Sequence, residues 1–170
     1  MSNQETFKKE LEERTKELNQ FLEGFLPEES GYQKTIFEAM NYSVRAGGKR
    51  LRPLLMQETC RLFTGAVEEC VKPFMAAIEM IHTSSLVHDD LPCMDDDMMR
   101  RGKASTWAEF GEDIGVLAGD ALMIYAFETA AKAFEGVQDA DLLSRIGQAI
   151  GILAKKTGVY GMIGGQTVDV

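Results

Sequence analysis

Apolar side chains recur along this chain with the period of an α-helix, and this periodicity limits the fold more than any other feature. In the first segment the apolar positions, three, four or seven residues apart, are Phe7, Leu11, Leu18, Phe21, Leu22 and Phe25. Prolines number only 4 in 170 residues, and no stretch alternates apolar and polar residues as a strand does. We therefore expect an all-α fold, one domain over residues 1–170, in which long helices surround a central cavity.

Glycine and proline mark the expected ends of these helices. The second helical pattern stops at the pair Gly47–Gly48, and Pro53 suits the first turn of the third helix. Pro92 must end or distort the fourth helix, which is unusually apolar. In chain order, the predicted helices cover residues 7–25, 32–44, 53–63, 73–90, 115–134 and 139–156, with another starting near Tyr160.

The charge balance argues against nucleic-acid partners. Lysine and arginine total 18 and aspartate and glutamate 27, which leaves a net charge of −9. Such a surface repels phosphate backbones, so we expect no nucleic acid to bind. A small substrate bearing phosphates would need a local cluster of cations or a bound metal ion.

Cysteine usage and hydropathy favour a cytoplasmic protein. The 3 cysteines are an odd number without a CxxC pair, which is typical of reduced thiols. The charged N-terminal segment lacks the apolar core of a signal peptide. The most apolar stretch, residues 116–133, is interrupted by Asp120 and Glu128, so we expect the chain not to span a membrane.

The densest polar feature is the segment HDDLPCMDDDMMRRGK, residues 88–103. Its carboxylates repel one another unless a cation neutralises them, and their hard oxygens suit Mg²⁺ or Mn²⁺. The break at Pro92 would allow Asp89, at the end of an apolar helix, to approach Asp95. A solvated acidic loop is the alternative interpretation. The aspartates of the segment are Asp89, Asp90, Asp95, Asp96 and Asp97.

The second polar feature is GGKRLRP, residues 47–53, which we call the basic turn. Lys49, Arg50 and Arg52 place three cations close together, and the two glycines free the backbone, which suits anion binding. The basic turn is not a Walker loop, because no Ser or Thr follows the GK pair. An ordinary basic turn on the surface is the alternative interpretation.

One face of the fourth helix carries a histidine towards the aspartates. His82, Ser85 and Asp89 are three and four residues apart and therefore share that face. A lone histidine on an apolar helix is usually a core residue. Its position below Asp89 instead indicates that His82 lines the same cavity.

Together these motifs resemble the trans-prenyltransferase family, the farnesyl and geranylgeranyl diphosphate synthases. DDLPCMD at 89–95 matches the family's first aspartate-rich motif, DDxxxxD, and RRG at 100–102 matches the sequence that follows it. The basic turn matches the family's N-terminal basic motif, and GGQTVD at 164–169 resembles its GGQ motif. The resemblance extends from about residue 31 to the end, and it implies an isoprenoid-synthase helical bundle and a homodimer.

The resemblance also implies a reaction, the Mg-dependent head-to-tail condensation of isopentenyl diphosphate with dimethylallyl, geranyl or farnesyl diphosphate, which releases pyrophosphate. Asp89 and Asp95 would ligate two or three Mg²⁺ ions, or Mn²⁺ in their place, with Asp90 in support. Arg100 would contact the allylic diphosphate, and Gln166 would line the allylic pocket. The residues implied to bind isopentenyl diphosphate are Gly48, Lys49, Arg52, His82 and Arg101.

Product length is implied by the residues four and five positions before the first aspartate, which form the floor of the family's product pocket. These are Ser85 and Ser84. An aromatic residue at the fifth position blocks elongation in typical farnesyl synthases of this motif type. Because serine leaves the floor open, we expect a geranylgeranyl product, with farnesyl diphosphate as the alternative.

Two features of the family do not occur in these residues: a second aspartate-rich motif, and a Lys–Thr pair after the GGQ motif. We expect the chain to be the N-terminal part of a longer synthase and to be inactive alone, a natural short paralogue being the alternative. A non-catalytic subunit that pairs with a full synthase would also lack these features. A terpene cyclase would not need the basic turn, and a purely structural bundle would not need the aspartates.

Overall fold

The computed structural model describes residues 3–169 and confirms the all-α fold. Eight α-helices alternate with short loops in these residues, and two strands of two residues form a small hairpin. The elements are α1 Asn3–Glu23, α2 Lys34–Arg45, α3 Leu51–Thr64, α4 Lys72–Asp89, β1 Met99–Arg100, β2 Lys103–Ala104, α5 Thr106–Phe110, α6 Glu112–Ala131, α7 Ala140–Thr157 and α8 Met162–Asp169. Single 3₁₀ turns cover Glu69–Val71 and Lys132–Phe134.

Local sequence explains where several helices begin and end. Pro73 lies in the first turn of α4, where its missing N–H costs nothing. Asp139 caps α7, because its carboxylate accepts a hydrogen bond of 2.7 Å from the Leu142 amide. Gly65 ends α3 in the left-handed conformation, at φ 78°. These boundaries agree with the periodicity to within a few residues.

The hairpin and α5 were not predicted from the sequence. Strands of two residues and a helix of five are too short to produce a periodic pattern. The hairpin pairs Met99 with Ala104 and Arg100 with Lys103. Its two turn residues, Arg101 and Gly102, both have positive φ angles, 53° and 79°, as in a type I′ turn.

The core lies where α4 packs against α6. The buried positions of both helices include many small residues, which allow the two backbones to approach closely. Leu18 and Leu22 of α1 and Met40 and Val44 of α2 are also buried. The small buried residues are Ala76, Ala77 and Ser84 on α4, and Gly115, Ala118, Gly119, Ala126 and Ala130 on α6.

The segment Glu112–Phe134 is long and apolar enough to cross a membrane, judged by length and composition alone. Core helices of proteins that never enter a bilayer pass the same test. In this structure one face of the segment is buried in the core, at Ala118, Leu122 and Ala126. The expectation that the chain does not span a membrane therefore stays a prediction.

Gly119 provides a test of the close packing between α4 and α6. A methyl group at this position would overlap the imidazole ring of His88 on α4. We expect Gly119→Ala to lower the free energy of unfolding by about 1–3 kcal/mol, since a packed core resists added volume. Urea unfolding measures this change.

Gly147→Ala on α7 is the matched control. A methyl group there meets no atom within 4 Å, so helix propensity alone should raise the free energy of unfolding by about 0.5–1 kcal/mol. If the two variants proved equally stable, the close packing at Gly119 would be refuted.

Candidate active site

The loop after α4, residues 89–97, folds back on the C-terminal end of that helix. The Asp95 amide donates to the Asp89 carbonyl at 2.8 Å, and the Asp97 amide donates to the Asp90 carbonyl at 3.1 Å. Since Pro92 cannot donate a helical hydrogen bond, the chain turns and satisfies these carbonyls from the loop instead. Asp89 and Asp95 are thereby brought together. We call residues 89–97 the aspartate loop.

Two neighbouring carboxylates put negative charge near the Asp89 carboxylate, which the Arg100 cation offsets only in part. Burial, followed by the neighbouring carboxylates of Asp95 and Asp90, raises the pKa of Asp89 above its usual value. The side-chain amide of Gln166 on α8 donates a hydrogen bond of 2.8 Å to Asp89 Oδ1. The structure thus places Gln166, which was predicted to line the site, in direct contact with the first aspartate.

The carboxylate of Asp90 binds an arginine. Its side chain is 3% exposed, and it accepts hydrogen bonds of 2.9 and 3.1 Å from the Arg100 Nε. Arg100 Nη2 also contacts Asp90, and it lies 3.6 Å from Asp97 Oδ2. In this arrangement Asp90 orients Arg100, while Asp89 and Asp95 are the carboxylates available to a cation.

The hairpin and α5 fix the position of the aspartate loop. The Tyr42 hydroxyl on α2 donates to the Ala104 carbonyl at 2.9 Å, and the Trp107 indole N–H donates to the Asp97 carbonyl at 3.0 Å. The Ser43 and Thr106 hydroxyls, both buried, lie 2.8 Å apart. Elements too short to be predicted from the sequence therefore anchor the arginines beside the aspartates.

A second part of the site is a pocket between the basic turn and α4. Its volume is about 590 Å³, and we call it the basic pocket. The five residues that the resemblance implied for isopentenyl diphosphate all line it: Gly48, Lys49, Arg52, His82 and Arg101. Gly48 has a φ of 130°, and a methyl group there would lie 2.7 Å from the Arg101 guanidinium. Glycine is therefore required both by the backbone conformation and by the approach of Arg101.

Arg50 does not contribute a free cation to the basic pocket, contrary to the expectation for the basic turn. Its side chain is 2% exposed and forms an ion pair of 2.7 Å with the equally buried Glu79 of α4. Lys49 and Arg52 are exposed. Sequence reasoning missed Glu79, although a single carboxylate within the apolar run of α4 is a signal of a buried ion pair.

Two consecutive arginines connect the aspartate loop to the basic pocket. Arg100 binds Asp90, and Arg101 donates to the Gly47 carbonyl of the basic turn. Along α4, His82 in the pocket and Asp89 in the loop share one face and lie about 10 Å apart along the helix axis. The two charged clusters therefore lie side by side on one surface of the bundle.

The two serines proposed to set product length differ in their surroundings. Ser85 lies on the same face of α4 as His82 and Asp89, and its hydroxyl donates to the His82 carbonyl at 2.8 Å. Ser84 is completely buried, and its hydroxyl has no hydrogen-bond partner within the described part of the chain. A larger side chain at position 84 would need its neighbours to move.

The imidazole of His82 reports on the basic pocket. Burial, followed by the charge of Arg52, lowers the pKa of His82 below the usual 6.5. We predict that NMR titration of the two histidines of the chain finds this lowered pKa and that isopentenyl diphosphate raises it, because the ligand adds negative charge. A free-protein pKa at or above 6.5 would contradict the buried, cationic setting.

The same shift affects stability. The folded state binds the proton of His82 less tightly than the unfolded chain does. The neutral imidazole therefore makes its full contribution to the free energy of unfolding above pH 6.5. That contribution is lost as the pH falls from there towards the lowered pKa of the folded protein.

A family model and the sequence relatives of this chain agree on the kind of protein that it resembles. A family model described as Polyprenyl synthetase matches residues 33–170. The chloroplastic geranylgeranyl pyrophosphate synthase of Catharanthus roseus is 53% identical over 135 residues, which are 79% of this chain and 36% of that protein. The chloroplastic heterodimeric geranylgeranyl pyrophosphate synthase large subunit 1 of Arabidopsis thaliana is 51% identical over 137 residues, with the same two shares.

Solved structures agree with the sequence relatives. The crystal structure of an FPP/GFPP synthase from Zymomonas mobilis superposes with a TM-score of 0.84 at 38% identity. The superposition covers 96% of this chain and 57% of the other. The chain thus spans little more than half of that structure and 36% of each of the two plant proteins.

Proposed function

The chain belongs to the polyprenyl synthetase family, and on that premise we propose that it forms the diphosphate-binding part of a prenyl diphosphate synthase. The enzyme would condense isopentenyl diphosphate with an allylic diphosphate, head to tail, and release pyrophosphate. One observation supports this most strongly: Arg100 and Arg101 link the aspartate loop to the basic pocket, so that two diphosphates would bind side by side.

Asp89 and Asp95 would bind Mg²⁺, with Mn²⁺ as a substitute. Among residues 3–169, no three carboxylate, imidazole or thiol groups are arranged as a complete metal site. Two carboxylates nevertheless fit Mg²⁺, which usually keeps several waters and takes its remaining ligands from substrate phosphates. When bound, the metal would stabilise the negative charge of the departing diphosphate.

The side chains around the metal position have separate tasks. Arg100, oriented by Asp90, would contact the allylic diphosphate, and Gln166 would line the pocket for the allylic group beside Asp89. In the basic pocket, Lys49, Arg52 and Arg101 would neutralise isopentenyl diphosphate, with His82 and the Gly48 backbone completing the contact.

These charges are placed for an ionisation mechanism. The cationic side chains would stabilise pyrophosphate as the allylic C–O bond breaks, which leaves an allylic carbocation. The double bond of isopentenyl diphosphate would attack this cation, and loss of one proton, with pyrophosphate as the base, would restore a double bond. Apolar side chains of the surrounding helices would keep water from the cation.

We propose geranylgeranyl diphosphate as the main product, with farnesyl diphosphate as the alternative. Ser84→Tyr in the full-length protein is expected to shorten the product, because the larger side chain would close the floor of the product pocket. Chromatography of the products measures the change, with Ser144→Tyr, the same substitution at an exposed position of α7, as the control. Since Ser84 is completely buried, circular dichroism must first establish that the variant is folded; an unchanged product in a folded variant would refute the assignment.

The state of assembly and the location belong to the same proposal. The exposed apolar side chains Val116, Leu117 and Ile124 of α6, which flank the exposed Asp120, are the ones that a second subunit would cover. We propose a homodimer in the cytoplasm. No nucleic acid takes part.

Incubation of the full-length gene product with Mg²⁺, isopentenyl diphosphate and allylic diphosphates of increasing length tests this function. We expect chain elongation that stops when the metal is chelated. If the protein bound both diphosphates but formed no product until a complete synthase was added, the non-catalytic subunit would be the correct function.

A further inference from the structure

Arg50 is the most completely bonded cation beside the basic pocket. It has a left-handed backbone conformation, with φ 49° and ψ 36°, at the residue before α3. Its guanidinium donates to Asn19 Oδ1 at 2.8 Å, to Glu79 Oε1 at 2.7 Å and to the Val44 carbonyl at 2.5 Å. These partners come from three different helices, so the side chain of Arg50 fixes the basic turn relative to α1, α2 and α4.

Helix α1 reaches the basic turn at two points. Asn19 accepts from Arg50, and the Thr15 hydroxyl lies 3.4 Å from the Lys49 carbonyl. The helix is itself anchored, since Leu18 and Leu22 are buried. Arg14 forms an ion pair with Glu58 of α3. Helix α1 precedes the region that the family model matches, residues 33–170, so the family match assigns no role to it.

A non-glycine residue rarely adopts a left-handed conformation unless its surroundings impose it. The neighbouring residues Gly47 and Gly48 also have positive φ angles, 90° and 130°. Three of the four residues 47–50 thus have positive φ angles, and the two glycines among them give the backbone little intrinsic preference for one shape. The hydrogen bonds of Arg50 therefore determine how Lys49 and the Gly48 amide face the basic pocket.

We propose that Asn19 and Glu79 are positioning residues for the basic turn, acting through Arg50, and that α1 is thereby part of the isopentenyl diphosphate site. This inference rests on the proposed function, because it assigns the diphosphate to the basic pocket. Neither Asn19 nor Glu79 needs to touch the ligand. Their effect is to hold the turn in its binding conformation.

The test compares three variants of the full-length protein by calorimetric titration with isopentenyl diphosphate and by the ligand-induced NMR shift of His82. Asn19→Leu removes the acceptor and excludes water from its place, whereas Asn19→Asp keeps an acceptor of the same shape. Gln20→Leu, at the exposed neighbouring position of α1, is the control. We expect Asn19→Leu to raise the Kd about tenfold, as for loss of one hydrogen bond to a charged group. Asn19→Asp and Gln20→Leu should bind nearly as the unaltered chain does.

The variants also separate positioning from two simpler effects. If only the charge near the basic pocket affected binding, the negative charge added by Asn19→Asp would repel isopentenyl diphosphate. Asn19→Asp would then bind the ligand more weakly than Asn19→Leu, and the proposal would be wrong. If Asn19 served only stability, Asn19→Leu would lower the Tm but keep the Kd of the folded protein, which also overturns the proposal. Should Asn19→Leu fail to fold, Asn19→Ala is the variant whose Kd decides.

The proposed function can fail separately. If the unaltered full-length protein binds no isopentenyl diphosphate and its His82 signal does not shift, the basic pocket is not the diphosphate site, and both ideas are refuted. If the unaltered chain binds and Asn19→Leu binds equally well, only the positioning role is refuted.

Discussion

Asp89→Asn is expected to lower the rate of prenyl transfer by about 10³-fold, the size of the loss when a charge-stabilising group is removed from an active site. Asparagine keeps the shape of the side chain and can still accept from Gln166. It removes the negative charge that would attract Mg²⁺. Steady-state kinetics of the full-length protein over a range of Mg²⁺ concentrations measure the change.

Asp96→Asn is the matched control from the same loop. Asp96 is exposed and has a φ of 54°, a left-handed conformation that asparagine adopts readily. The same loss of one charge should therefore leave the rate near that of the unaltered enzyme. Equal losses in both variants would mean that the total charge of the loop matters, and not a metal site at Asp89.

Glu79→Leu is expected to lower the free energy of unfolding by about 3–5 kcal/mol, because it leaves the Arg50 charge buried without its ion-pair partner. Both side chains of the pair are 2% exposed, so water cannot replace the lost carboxylate without opening the core. Urea unfolding followed by circular dichroism measures the loss.

The double variant Arg50→Met/Glu79→Leu identifies the cause. Replacing both partners removes the unpaired charge, so the double variant should be more stable than the sum of the two single changes predicts. Additive losses would show that Arg50 and Glu79 stabilise the protein independently, and the ion pair would then not account for the effect.

The sequence predicted the helices and the break at Pro92 because both depend on local patterns. It also predicted that Asp89 and Asp95 would meet, since a proline at that position must interrupt the helix between them. Contacts between residues far apart in the sequence could not be predicted from local patterns. The partner of Asp90 depends on a hairpin of two-residue strands that leaves no periodic pattern.

Arg50 illustrates the other limit of sequence reasoning. In the sequence it resembles Lys49 and Arg52, and nothing local separates a buried cation from its exposed neighbours. The distinction arises from Asn19 and Glu79, which are 31 and 29 residues away along the chain. Only the packing of α1 and α4 around the basic turn brings these partners together.

The most direct test of the central claim is whether a cation at Asp89 and a diphosphate in the basic pocket share one site. Mn²⁺ is paramagnetic and broadens NMR signals of nearby nuclei, and the chain has only 2 histidines, one beside Asp89 and one in the basic pocket. We predict that Mn²⁺ broadens His88 strongly and His82 measurably, that isopentenyl diphosphate still shifts His82, and that Asp89→Asn abolishes the broadening. Broadening that is absent from both histidines, or that persists unchanged in Asp89→Asn, would contradict the account.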